Sequence, residues 1–254
     1  RTVVEEVNWE DSMHRNYADE NLGLRQRIVS GLNWVFDHVD RAIILEDDCV
    51  PGRSFFPFCE ELLDRYANHS HVMAISGDNF QPAPRTQYNY YFSRYMHCWG
   101  WATWRSAWRQ YDVDMTSWPE VRNGAWLEQL FDSDRAATYW RSVFDRVHQK
   151  EIDSWAYVWQ YSIWRNGGIS VLPEKNLVSN IGHGEEATHT QDAGQCTSRS
   201  THTLKQPLDH PPCIVRHADA DEYTQRWLYD RTIIRKVLSR AYQYVENVVP
   251  NAER

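Results

Sequence analysis

The chain lacks most of the features that assign a protein to a class at sight. It has no basic surplus: 27 Lys and Arg stand against 35 Asp and Glu, a formal net charge of −8. Proteins that track a phosphate backbone need the opposite balance, which argues against a nucleic-acid partner. No apolar run approaches the roughly 20 residues of a membrane-spanning helix, which leaves room only for peripheral membrane contact. Residues 1–7 do not read as a signal peptide. The five cysteines (Cys49, Cys59, Cys98, Cys196, Cys213) are odd in number and scattered, with no C-x-x-C pair. That argues against a disulfide framework or a zinc site and predicts free thiols in a reducing, cytoplasmic setting. No internal repeat or linker interrupts the sequence. What remains is 254 residues with ordinary apolar (42%) and charged (24%) fractions, enough for one large α/β domain or two small ones. The surplus is in tryptophan, 13 of them. An indole offers a broad apolar face with one N–H, suited to core packing and to stacking on sugar rings. Core packing is the expected role for most.

The hydrophobic pattern gives the fold class. Residues 1–7 read as the tail of an element and 13–17 as a short strand. Asn21 is placed to start a helix over 24–39, where Leu24, Ile28, Leu32, Phe36 and Val39 recur at helical spacing. Residues 41–45 read as a short buried strand. Ser54 is the expected cap of a helix to about residue 66, with Pro57 tolerated in its first turn. A second buried strand spans 72–76. This strand–helix alternation predicts an α/β fold with a mainly parallel sheet. Further on come a polar loop over 79–87, a strand over 88–93, and a turn at 99–104 leading into a short helix. Helices follow over 123–131, 133–150 and 153–166, the last closed by Gly167-Gly168. A strand over 169–172 and a polar loop over 188–203 come next. An amphipathic helix from 223 to about 248 completes the chain. The expected organisation is a main domain over 1–222 with a C-terminal helical appendage over 223–254.

Glu46-Asp47-Asp48 directly follows the apolar run Ala42-Ile43-Ile44-Leu45. Adjacent carboxylates repel, and a strand would send the outer two to one face and the middle one to the other. Open α/β sheets bind ligands at the carboxyl edge of their strands. An acidic cluster there is costly unless a cation or a metal-bound phosphate neutralises it. A solvated acidic turn is the alternative, but the apolar run before it and Cys49-Val50-Pro51 after it do not look freely solvated. Oxygen ligands suit Mg²⁺ or Mn²⁺, often with one or two carboxylates and with substrate phosphates completing the shell.

Other residues carry two readings each. Asp153 sits where an N-cap belongs. A carboxylate kept ionised and fixed at a helix start can also be a general base, and Glu151 is a rival for that role. His183 and His189 flank Glu185-Glu186 in a glycine-bearing run. They read as surface histidines, or as part of a loop that closes over a metal–phosphate site. Arg25 and Arg27 lie on a solvated helix face or reach for a diphosphate. Asp78 forms an Asx turn or binds a substrate hydroxyl at the same sheet edge as the acids. Trp99, Trp101 and Trp104 read mainly as core, with Gly100 marking a tight backbone approach where an acceptor sugar could pack.

Taken in order, several stretches resemble the nucleotide-diphospho-sugar glycosyltransferases of the GT-A fold, and more closely bacterial relatives of the N-acetylglucosaminyltransferase I type. They are Glu20-Asn21-Leu22-Gly23-Leu24, Ile43-Ile44-Leu45-Glu46-Asp47-Asp48-Cys49, Phe55-Phe56-Pro57-Phe58-Cys59-Glu60-Glu61-Leu62-Leu63 and Ser76-Gly77-Asp78-Asn79-Phe80. Trp99-Gly100-Trp101-Ala102-Thr103-Trp104, Asn176-Leu177-Val178-Ser179-Asn180-Ile181-Gly182 and Ala187-Thr188-His189-Thr190 continue the series, which spans roughly 10–220. The resemblance implies a Rossmann-like, mainly parallel sheet flanked by helices. It makes Glu46-Asp47-Asp48 the family's variant of the D-x-D motif, with Asp48 ligating Mn²⁺ or Mg²⁺ on the donor diphosphate. Asp47 and Glu46 would contact the nucleotide ribose or sugar, or ligate through water. Asp153, ahead of Trp155, would be the catalytic base, and the loop around His183 would fold over the donor. The match starts inside the helix that precedes Asn-Leu-Gly, so the family's first β–α unit, which holds the nucleobase, is expected to be lacking. The function implied is metal-dependent, inverting transfer of a hexosyl or N-acetylhexosaminyl group from a nucleoside-diphosphate sugar to a hydroxyl of a glycan, lipid-linked or other acceptor. The residues alone also admit a glycosidase using Asp153 with Glu46, or a non-catalytic carbohydrate-binding or degenerate transferase-like protein.

Overall fold

Three short apolar runs set the frame. Arg41–Ile44 (β1), Val72–Ser76 (β3) and Ile169–Pro173 (β6) become strands in the computed structural model, which describes residues 13–182 and 199–230. Tyr90–Ser93 (β4) and Trp101–Trp104 (β5) complete a five-stranded sheet in the order β1-β5-β3-β6-β4. The protein is a mixed α/β protein. Its sheet departs from the mainly parallel expectation, because among the described strands only β3 and β6 pair in parallel. The β1–β5, β3–β5 and β4–β6 pairings are antiparallel. The reason is β5. All four of its residues are buried, so it shows no polar–apolar alternation, and the preceding Gly100 makes the segment read as a turn. Inserted between β1 and β3, β5 converts one expected parallel pairing into two antiparallel ones. β1 differs too: it is a half-exposed edge strand, not a buried one. Residues 13–17 form no strand.

Helices cover both faces of the sheet. On one side lies Phe55–Arg65 (α2), which buries Phe55, Phe58, Cys59 and Leu62 against Ile75, Phe92 and Trp104. Ser54 does not cap it with its side chain; the hydroxyl accepts instead from the Leu204 N–H at 2.9 Å. On the other side, Gly23–His38 (α1) buries Leu32 and Phe36. Short helices Arg105–Trp108 (α3), Trp118–Val121 (α4) and Trp126–Leu130 (α5) lead to Asp134–His148 (α6) and Trp155–Arg165 (α7). The tryptophans fulfil the packing expectation: Trp101, Trp108, Trp118, Trp140, Trp155, Trp159 and Trp164 all lie in the core on this face. Fully burying one large apolar side chain stabilises the fold by about 1.5–3 kcal/mol, so this cluster dominates the second layer.

The expected helix from 223 begins earlier, as Ala218–Thr224 (α8), and passes into a π-helical turn over Gln225–Asp230. The remainder of that stretch lies outside the described residues. Gln225 is buried, and its Oε1 accepts from the Tyr95 hydroxyl (2.7 Å) and the Trp140 indole (2.9 Å). No helix among the described residues is long and apolar enough to cross a membrane.

Candidate functional site

β1 and β3 both run antiparallel to β5, and β6 runs parallel to β3. The carboxyl ends of β1, β3 and β6 therefore share one edge of the sheet. The turn after β1 carries Glu46, Asp47 and Asp48 and closes with the Cys49 N–H donating to Glu46 O at 3.1 Å. The chain continues as Cys49–Pro51 (β2), which pairs antiparallel with Val178–Asn180 (β7). The Ile181 N–H donating to Asp48 O at 2.9 Å adds a rung to this ribbon, beside the acids. Sequence reading misses both strands, because three residues are too few to carry a period. After β3, the Gly77 N–H donates to Gly100 O (2.8 Å), and Gly77 O accepts from the Leu177 N–H (2.9 Å). Gly100 has φ +67°, and a Cβ on it would lie 2.9 Å from Val178 Cγ2, so the tight approach read from sequence is present.

Asp47 is exposed; Glu46 and Asp48 are half-buried. Glu46 Oε1 accepts from the Trp155 indole N–H at 3.2 Å. Burial raises the Glu46 carboxyl above the usual range. Asp48 and Asp47 raise it further, and the Trp155 hydrogen bond pulls against them. The Cys49 thiol, which donates to Asp48 Oδ1 at 3.4 Å, is pushed up to about 12 by burial and then by Asp48. Among the described residues no Lys, Arg or His forms an ion pair with any of the three acids. The turn thus concentrates negative charge that nothing described compensates.

That donor set fits one kind of ion. No described group of three or more His, Cys, Asp or Glu side chains forms a complete metal cage. A hard divalent ion held by one or two carboxylates and completed by phosphate oxygens does not need one. Asp48 and Asp47 are the side chains that could hold it, with Glu46, whose Oε1 accepts from Trp155, able to contribute through its other oxygen or through water.

Asp153 is exposed and is not the helix cap expected from the sequence. The Ser154 hydroxyl caps α7, accepting from the Tyr157 N–H at 3.4 Å. Sequence alone does not separate two adjacent capping residues. A Cβ on Gly23 would lie 3.5 Å from Asp153 Oδ2, so the start of α1 borders this carboxylate. Its rival Glu151 pairs with Arg146 at 3.4 Å. Trp155, two residues on, links the first turn of α7 to the acidic turn through Glu46 and stacks on Trp101 with ring centroids 5.4 Å apart.

Asp78 is buried beside His97, with Asp78 Oδ2 3.3 Å from His97 Nδ1. Asp78 Oδ1 and His97 Nε2 have no partner. The Asx turn belongs instead to Asn79, whose Oδ1 accepts from the Gln81 N–H at 2.6 Å. Burial, and after it the charges of Glu46 and Asp78, hold the Cys98 thiol well above its usual range. His97 carries no sequence signal, being a lone histidine in an apolar run. Arg25 and Arg27 serve as loop anchors in this structure. Arg25 is buried and donates to Val113 O, and Arg27 donates to Asn16 O and, at 2.9 Å, to Asn16 Oδ1. Trp101 and Trp104 are core residues, and Trp99 is half-buried. His183 lies outside the described residues. Two surface concavities, about 430 Å³ beside Arg122 and Arg141 and about 220 Å³ beside His71 and Trp104, are lined by none of the candidate acids, arginines or histidines. No protein-family model and no curated protein matches the sequence.

Proposed function

We propose that the protein is a metal-dependent, inverting glycosyltransferase of the GT-A fold, which uses a nucleoside-diphosphate sugar as donor and an acceptor hydroxyl as nucleophile. The observation that carries this reading is the Glu46-Asp47-Asp48 turn, without a cationic partner among the described residues, at the shared carboxyl edge of β1, β3 and β6, hydrogen-bonded through Trp155 to the helix that Asp153 precedes. The ordered motifs of the sequence and the mixed sheet with helices on both faces support the same reading.

Asp48 would hold Mn²⁺ or Mg²⁺, with exposed Asp47 beside it. When bound, the ion supplies Lewis-acid stabilisation of the departing diphosphate. Asp153, free of the capping duty that Ser154 takes, accepts the proton of the acceptor hydroxyl as that oxygen attacks the anomeric carbon. The bond to the diphosphate oxygen breaks in the same displacement, so no covalent enzyme intermediate forms and the anomeric configuration inverts. Glu46 acts as a strut: its bond to the Trp155 indole fixes the first turn of α7 relative to the acids. Asp78, with one carboxylate oxygen unpartnered, is assigned to a substrate hydroxyl. His183 is kept as a donor contact from the resemblance alone, whereas Arg25 and Arg27, tied to Val113 O and Asn16, are given no donor role.

The test is turnover with a panel of UDP-, GDP- and TDP-linked hexoses and N-acetylhexosamines, with Mn²⁺ and with chelator. The reading expects release of the nucleoside diphosphate from at least one donor, abolished by chelator. Release that persists in chelator contradicts it.

A further inference from the structure

Gly182 closes the β2–β7 ribbon against the acidic turn. The Ile181 N–H donates to Asp48 O, and the Gly182 N–H donates to Asn180 Oδ1 at 2.9 Å. Gly182 is not a glycine that its backbone requires: the positive-φ glycines among the described residues are Gly23, Gly100 and Gly167. What requires it is space. A Cβ built on Gly182 would lie 2.8 Å from Asp48 Cβ and 2.9 Å from Asp48 Cγ, and closer still to Oδ2. Rotating the Asp48 side chain moves Oδ2 and leaves its Cβ in place. Relief therefore needs a backbone shift at one end of the Ile181–Asp48 rung as well as a turned carboxylate.

We infer that Gly182 is a positioning residue for the metal-ligating carboxylate: its bare Cα forms the wall against which Asp48 is held. This rests on the proposed role of Asp48 and extends it to a residue that makes no bond to the ion. The site then takes its shape from two chain segments more than a hundred residues apart. Sequence alone does not distinguish a glycine needed for space from one needed as a hinge.

The test uses the full chain and reads free Mn²⁺ by electron paramagnetic resonance, in parallel titrations with UDP, GDP and TDP. Gly182→Ala is compared with the native protein and with Ile181→Ala, a change at a neighbouring exposed side chain. Disturbing a group that orients a metal ligand weakens metal binding by about 10- to 100-fold. That loss is expected for Gly182→Ala, with no more than a small fall in melting temperature without metal and native affinity in Ile181→Ala. In the double variant Asp48→Ala/Gly182→Ala the second change should add nothing to the first, because both act on one ligand. Native-like Mn²⁺ affinity in Gly182→Ala overturns the inference and leaves the proposed function standing. A large fall in its melting temperature overturns it in favour of a structural role. Absence of Mn²⁺ binding by the native protein with every nucleotide overturns both.

Discussion

Asp221 and Asp48 are acids treated in opposite ways. Asp221 is 2% exposed and accepts from the Ser93 hydroxyl (2.5 Å), the Arg94 backbone N–H (3.2 Å) and guanidinium (3.3 Å), and Arg216 (3.1 Å). Even so, burial pushes its carboxyl up to about 6, with the bonds from Ser93 and Arg94 opposing. Asp48 sits half-exposed beside two further acids, with a thiol as its side chain's hydrogen-bond donor. Buried charges used for architecture are paired, because an unpaired one costs several kcal/mol. Acids gathered at a sheet edge with no cationic partner among the described residues point to a ligand that brings one. The first arrangement ties the C-terminal segment to β4; the second leaves coordination sites open.

Each prediction tests whether that division holds. The largest effect belongs to Asp153→Asn. As the proposed general base it should lower single-turnover rate by about 10²- to 10⁴-fold while donor affinity stays native. Unchanged turnover would move Asp153 out of the mechanism. On the architectural side, Asp221→Ala leaves Arg94 buried without its carboxylate. It should cost about 3–5 kcal/mol in urea unfolding and leave Mn²⁺ binding of the folded protein intact. A metal-binding defect there would break the contrast.

A smaller effect is expected for Glu46→Gln, which keeps an acceptor for the Trp155 indole and removes one of three like charges. The folded-state carboxyl lies above its unfolded value of 4.5. Between the two values the folded state holds more protons, so stability falls as pH rises through that window. Glu46→Gln should therefore melt higher than native at pH 7 without metal, and the gap should close at pH 4. A gap independent of pH would mean that charge crowding in the turn is not what Glu46 contributes.

Much of the scaffold was legible in the sequence. α1, α2 and α6 follow from helical spacing, and β1, β3 and β6 from their apolar runs. Direction of pairing was not legible, because it turned on β5, whose Trp-Ala-Thr-Trp is buried on both faces and lacks a readable period. The ribbon of β2 and β7 escaped because its strands are three residues long. At the site, the acidic triplet stood out as a motif. Its partners did not: Trp155 looks like one core tryptophan among many, and Gly182 like any loop glycine. Their roles depend on contacts between segments distant in sequence, which local pattern does not encode.

The most direct test of the central claim is Mn²⁺-dependent thermal stabilisation by nucleoside diphosphates, comparing native protein with Asp48→Ala. The account predicts that at least one nucleoside diphosphate raises the native melting temperature with Mn²⁺ and not with chelator, and that Asp48→Ala loses this response while melting normally on its own. An Asp48→Ala protein that keeps the full Mn²⁺-dependent shift would contradict it.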